Sequence, residues 1–230
     1  MQENTDQQKS TELSEVQRFR VLIVEDQEMP RQLFEAMIAG SGRYELVKSI
    51  RSADMADLVC GYCKVDLILM DVLTELGASG LSAAGRIKRR FPAIRIIIVT
   101  SMPEVSWIQR ARDLGVDSFW YKEVNEEPIL SIMDRTMRGE HVYPDEAPVV
   151  KLGDALSSDF TDREIEILRE LITGDTNQEI ADRLHLSLFT VKDYIKKLLL
   201  KTGLHSRTEL AVKISQAGIV INDRQLIEPD

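Results

Sequence analysis

Five side chains could do chemistry together if the fold gathers them: Glu25, Asp26, Asp71, Thr100 and Lys122. Each stands just after a short apolar, β-rich run: RVLIV at 20–24, DLILM at 66–70, RIIIV at 95–99 and SFWY at 118–121. Three carboxylates brought close repel one another and raise each other's pKa unless a cation neutralises them. A hard divalent ion such as Mg²⁺, held by few carboxylates and several waters, meets that need. A hydroxyl and an ammonium beside a metal-bound carboxylate form a cradle for phosphoryl oxygens.

The elements that must position them alternate regularly. Strands are expected at 20–24, 44–50, 66–70, 95–99 and 118–121. Helices are expected from Pro30 to a stop at Gly40, then over 53–63, 81–90, 103–114 and 126–138. Strands alternating with helices imply a parallel sheet covered on both faces, and the continuous apolar runs suit strands buried on both sides. In a doubly wound sheet of order 2-1-3-4-5, strands one and three are neighbours, and ligands bind beyond the carboxyl ends of the strands. Glu25, Asp26 and Asp71 would then converge at the switch point.

Residues 139–157 carry Pro, Gly and acids without period and read as a linker. Helices alone follow. Thr161-Asp-Arg-Glu164 is a capping box before an apolar stripe, Asn177 is expected to cap a helix over 178–184, and Ser187 one over 188–201 that Gly203 ends. A last helix spans about 207–216. Two short helices about the tight turn 185–187 have helix-turn-helix spacing. The second carries Lys192, Lys196, Lys197 and Lys201 against a single Asp193.

Composition narrows the class. The 230 residues are 43% hydrophobic, enough for packed cores, and the net charge is −9. That charge argues against a generic nucleic-acid coat but leaves room for a local basic face. No apolar run approaches the ~18 residues of a membrane span, and the polar, acidic start lacks a secretory h-region. Two cysteines make no disulfide framework; Cys60 and Cys63 fall at a helix end and read as structural thiols. His141, His185 and His205 lack metal-ligand spacing, and Trp107 and Trp120 read as packing residues. A reduced, cytoplasmic protein without a membrane partner is expected.

Glu25-Asp26, Asp71, Thr100 and Lys122, each at its own strand end, resemble the receiver domain of two-component response regulators over residues 19–138. The resemblance implies that Asp71 accepts a phosphoryl group from a sensor histidine kinase. It implies Mg²⁺ on Glu25, Asp26, Asp71 and the main-chain carbonyl of Leu73. Thr100 and Lys122 would hold phosphoryl oxygens, and Phe119 would be the aromatic that turns inward when Thr100 moves. Receivers usually carry Met-Pro and then Gly after the acceptor. Here the stretch is Asp71-Val-Leu-Thr-Glu-Leu-Gly-Ala-Ser-Gly80, one residue longer and without Met-Pro, and Glu123 stands where Pro is frequent. Leu73 and Met102 occupy the positions that overhang the hydrolytic water's path in receivers; both are apolar, which predicts slow dephosphorylation.

Phe160–Leu168, Asn177–Ala181, Thr190–Lys192 and Arg207-Thr208 resemble the LuxR-type DNA-binding domain, here 158–222. Joined to a receiver this is the NarL/FixJ arrangement; residues 1–18 hold no apolar period and read as a mobile tail, and 223–230 as a tail. It implies a non-enzymatic, phosphorylation-switched transcription regulator, a homodimer when phosphorylated, that binds double-stranded promoter DNA. Thr190, Lys192, Asp193, Lys196 and Lys197 would face the groove or its phosphates. Tyr194, Asp193 and Thr202 depart from the residues usual there. The alternative from another class is a phosphorylation-independent receiver serving as a dimerisation or ligand-sensing module. A haloacid-dehalogenase-type phosphatase, suggested by Asp71-Val-Leu-Thr74, lacks its second Asp, because Leu73 cannot exchange protons.

Overall fold

The computed structural model describes residues 18–104, 106–122 and 127–220. Apart from Arg18, the expected tails at 1–18 and 223–230 lie outside the described residues, as do Glu123 and the helix start expected at Glu126.

Five parallel strands, β1 (Phe19–Val24), β2 (Tyr44–Ile50), β3 (Leu67–Asp71), β4 (Arg95–Thr100) and β5 (Ser118–Tyr121), pair in the order β2-β1-β3-β4-β5. Odd and even residues of each strand point to opposite faces. Leu22, Val24, Ile68, Met70, Ile96 and Ile98 pack with α2 (Ala56–Tyr62), α3 (Gly80–Arg90) and α4 (Trp107–Asp113). Val21, Ile23, Leu67, Leu69, Ile97 and Val99 pack with α1 (Glu28–Ser41) and α5 (Ile129–Met137). That double burial explains why the strands read as unbroken apolar runs.

Several helix boundaries differ from expectation, and at α1, α4 and α7 the reason is local. α1 begins at Glu28, because Pro30 still lies in the first turn, where its missing N–H is not needed. It passes Gly40 and ends at Gly42, whose φ of 69° is the left-handed cap. α4 begins at Trp107, not Pro103: the Glu104 carboxylate accepts from the Ser106 N–H (3.1 Å) and hydroxyl (2.9 Å), and the Glu104 carbonyl from the Trp107 N–H. In the helical domain Thr176, not Asn177, caps α7 (Asn177–Arg183), with Glu179 closing a capping box.

Segment 139–157 runs first along the free edge of β5. The Phe119 N–H donates to the Val142 carbonyl at 2.8 Å, the Val142 N–H to Ser118 Oγ at 3.1 Å, and the Tyr143 hydroxyl to the Val116 carbonyl at 2.7 Å. Two short antiparallel strands, β6 (Lys151–Leu152) and β7 (Ala155–Leu156), then lead into a second core. There Leu152 meets α6 (Asp162–Leu171), α7, α8 (Leu188–Thr202) and α9 (Arg207–Ala217) through Ile167, Leu168, Ile180, Val191, Leu198, Leu210 and Ile214. The two domains meet at the loop after β4. Arg169 of α6 lies 3.1 Å from the buried Glu104 carboxylate and 3.2 Å from Ser106 Oγ. At Gly218, the space a Cβ would take meets Pro103 Cδ at 3.4 Å. No helix among the described residues is long and apolar enough to cross a membrane.

Candidate phosphoryl-acceptor site and DNA-facing helix

Register places the acidic cluster. Val24 pairs with Met70 across β1 and β3, so the next residues, Glu25 and Asp71, stand side by side. Asp71 pairs with Val99 and Thr100 with Tyr121, which brings Thr100 and Lys122 to the same rim. Carboxylate oxygens of Glu25, Asp26 and Asp71 all lie within 4.8 Å of one another. Lys122 Nζ reaches both Asp71 Oδ2 (2.7 Å) and Glu25 Oε2 (2.5 Å). Asp71 Oδ1 accepts from the Val72 N–H at 2.7 Å, and Glu25 Oε1 from the Gln27 N–H at 3.1 Å.

Burial pushes the Asp71 carboxyl up to about 7; Lys122 opposes the rise, and Glu25 adds to it. The Lys122 ammonium is itself held above its usual range: burial works against the charge, but Asp71 and Glu25 outweigh it. One ammonium against three carboxylates leaves a formal excess of two negative charges. Asp26 Oδ1 is buried and has no hydrogen-bond partner among the described residues. An oxygen-only donor set, a twofold charge deficit and an orphaned carboxylate oxygen together fit a hard divalent cation.

The other expected residues are less tightly joined. Thr100 is buried, and its Oγ1 accepts from the Met102 N–H at 3.2 Å. Phe119 is already buried, its ring centroid 5.0 Å from that of Tyr121 and 6.5 Å from that of Tyr143. The Leu73 main chain bridges antiparallel to Ser79. Gly80, in the sequence only the end of the loop, touches Asp71 directly: a Cβ there would lie 1.8 Å from the Asp71 carbonyl oxygen. No local pattern announces that approach, since it arises only when α3 docks on the end of β3.

In the helical domain, Ser187 caps α8 by accepting the Thr190 N–H at 3.0 Å, and the Ser187 and Thr190 hydroxyls pair at 2.8 Å. The turn is held by Arg163 donating to the Leu184 carbonyl (3.0 Å) and by the Leu186 N–H donating to Ala181 (2.8 Å). Val191, Ile195 and Leu198 face the core, so Lys192, Lys196 and Lys197 point out and are exposed. Lys197 pairs with Asp193 at 2.8 Å, and Lys201 with Glu164 at 2.7 Å. Thr202, buried, donates to the Leu198 carbonyl.

Residues 21–134 match the response regulator receiver domain, and residues 158–214 the bacterial regulatory proteins of the luxR family. The response regulator protein VraR of Staphylococcus aureus (strain Mu3 / ATCC 700698) is 33% identical over 206 residues, 87% of this chain and 98% of the relative. The chain is a LuxR-type response regulator. Among solved structures, the regulator resembles in fold an RcsB assembly described as two dimers bound to two parallel DNAs. It has a TM-score of 0.58 and 17% identity, covering 86% of this chain and 98% of that one. RcsB from Salmonella enterica serovar Typhimurium, bound to promoter rprA with the phosphomimetic BeF3⁻, gives 0.57 and 17%, over 86% and 98%.

Proposed function

We propose that Asp71 is the phosphoryl acceptor of this regulator and that α8 carries promoter recognition. The observation that carries the reading is the buried Asp71 carboxylate, 2.7 Å from Lys122 Nζ and clustered with Glu25 and Asp26. An Asp71 oxygen attacks the phosphorus of a phosphohistidine on a sensor kinase. As the new O–P bond forms the P–N bond breaks, and its electron pair returns to the imidazole, which leaves neutral after proton uptake. Asp71 must be ionised to attack, and Lys122 favours that form, opposing the rise that burial imposes.

Glu25, Asp26, Asp71 and the Leu73 carbonyl would hold Mg²⁺, which supplies positive charge to the carboxylates and to the phosphoryl oxygens. Lys122 and Thr100 bind the transferred oxygens. Thr100, drawn toward the phosphoryl group, releases the Met102 N–H and shifts the loop on which Glu104 meets Arg169, while Phe119 repacks beneath it. In α8, Thr190, Lys192, Asp193, Lys196 and Lys197 face double-stranded DNA. A phosphorylated homodimer joins two half-sites and so raises effective concentration on an operator. The protein acts in the cytoplasm and catalyses no reaction on a metabolite.

Intact mass after incubation with acetyl phosphate and Mg²⁺ tests the reading. One added phosphoryl group is expected, absent in Asp71→Asn and absent with chelator. Uptake that survives in Asp71→Asn overturns the assignment, and no uptake by the parent favours the phosphorylation-independent module.

A further inference from the structure

The stretch after Asp71 is one residue longer than the receiver pattern and lacks its Met-Pro. Val72 to Gly80 form a small hairpin: the Gly80 N–H donates to the Val72 carbonyl (2.8 Å), Leu73 bridges Ser79, and the Thr74 N–H donates to the Ala78 carbonyl (3.1 Å). At the hairpin tip Leu76 is fully exposed with φ of 62° and Gly77 has φ of 76°. The base, next to Asp71, keeps a regular ladder.

Thr74 fastens this hairpin to the rest of the domain. Its hydroxyl donates to the Ala78 carbonyl at 3.0 Å and accepts from the Ala53 N–H at 2.8 Å. Both Thr74 and Ala53 are buried, so without the hydroxyl the Ala53 donor has no water to turn to. The Glu75 N–H adds one bond to the Arg51 carbonyl, also before α2. Upstream of this knot lie the Val72 N–H, which orients Asp71 Oδ1, and the Leu73 carbonyl. We propose that Thr74 is a positioning residue. It fixes the hairpin base that aims the Asp71 carboxylate and the Leu73 carbonyl. The proposal rests on Asp71 being the acceptor, and deepens that reading.

The test is calorimetric titration of the full chain with Mg²⁺, beside the initial rate of uptake from acetyl phosphate, for the parent, Thr74→Val and Thr74→Ser. Partners that orient ligands from behind typically change metal affinity ~10-fold or more. Thr74→Val is expected to weaken Mg²⁺ binding by about that factor and to slow uptake at limiting Mg²⁺, with recovery at saturation. Thr74→Ser, which keeps the hydroxyl, should match the parent. Should Thr74→Val not fold, Thr74→Ala leaves room for a water at the Ala53 N–H and carries the same comparison. A folded variant without the hydroxyl that binds Mg²⁺ within about twofold of the parent overturns the proposal. A parent that binds Mg²⁺ but takes no phosphate onto Asp71 overturns the acceptor reading alone, and the affinity comparison still decides the role of Thr74. A parent that binds no Mg²⁺ overturns both.

Discussion

The Asp71 carboxyl titrates near 7 in the folded chain, where burial is the main cause, against 3.8 for an ordinary Asp. Between those values the folded state holds more protons than the unfolded one, so this group's contribution to stability falls as pH rises through that window. In chelator, the melting temperature should drop between about pH 4 and pH 7. Asp71→Asn should flatten the drop and melt a few degrees higher at the alkaline end. A variant that melts below the parent there would mean that pairing with Lys122 outweighs burial. A second expectation concerns lifetime. Leu73 and Met102 are half-buried and apolar, unable to orient a hydrolytic water. Replacing them as Leu73→Asn with Met102→Glu should speed decay of the phosphoprotein about tenfold, since a positioned polar group contributes ~10²-fold when ideally placed. Unchanged decay would place control of the lifetime elsewhere. Glu25, Asp26, Asp71, Thr100 and Lys122 were legible because each follows an apolar run that must be a buried strand. Thr74 and Gly80 were not, because their partners, Ala53 and the Asp71 carbonyl, are supplied by other elements.

Within α8, exposure alone does not rank the lysines. Lys197 is held by Asp193 and Lys201 by Glu164, whereas Lys192 and Lys196 make no ion pair among the described residues. Lys192→Ala and Lys196→Ala should each weaken binding to promoter DNA and lower the slope of log affinity against log salt by ~1. Lys197→Ala should do less, because the lysine must first leave Asp193. Equal effects at all three positions would show that the Asp193 pair does not persist on DNA. The same scale shows where sequence period misleads. The apolar pattern reached back to Pro103 for α4, but the Glu104 side chain takes the donors of Ser106 and starts the helix at Trp107. The strand at 44–50 and the capping box at Thr161 matched their expected positions, since local hydrogen bonding and alternation decide both.

Across the whole molecule, the contact between the two domains falls on the loop that leaves Thr100, only four residues from it at Glu104. A buried carboxylate loses much when a cationic partner is removed. Arg169→Ala is therefore expected to loosen the helical domain from the receiver and to narrow the gap in DNA affinity between unphosphorylated and phosphorylated protein. An unchanged gap would show that the switch does not pass through this contact. Nothing in the sequence marked Arg169 and Glu104 as partners, 65 residues apart and in different domains. The strap of 141–143 along β5 has a consequence of another kind. An outer strand with free amides invites a second chain to add to the sheet and start aggregation. Here the Phe119 amide is already taken by Val142, while the opposite border, β2, displays the charges of Glu45 and Lys48. A nick between Gly139 and His141 would thus do more than part the two domains. It would uncover a sticky border, and the severed receiver would be the fragment that precipitates.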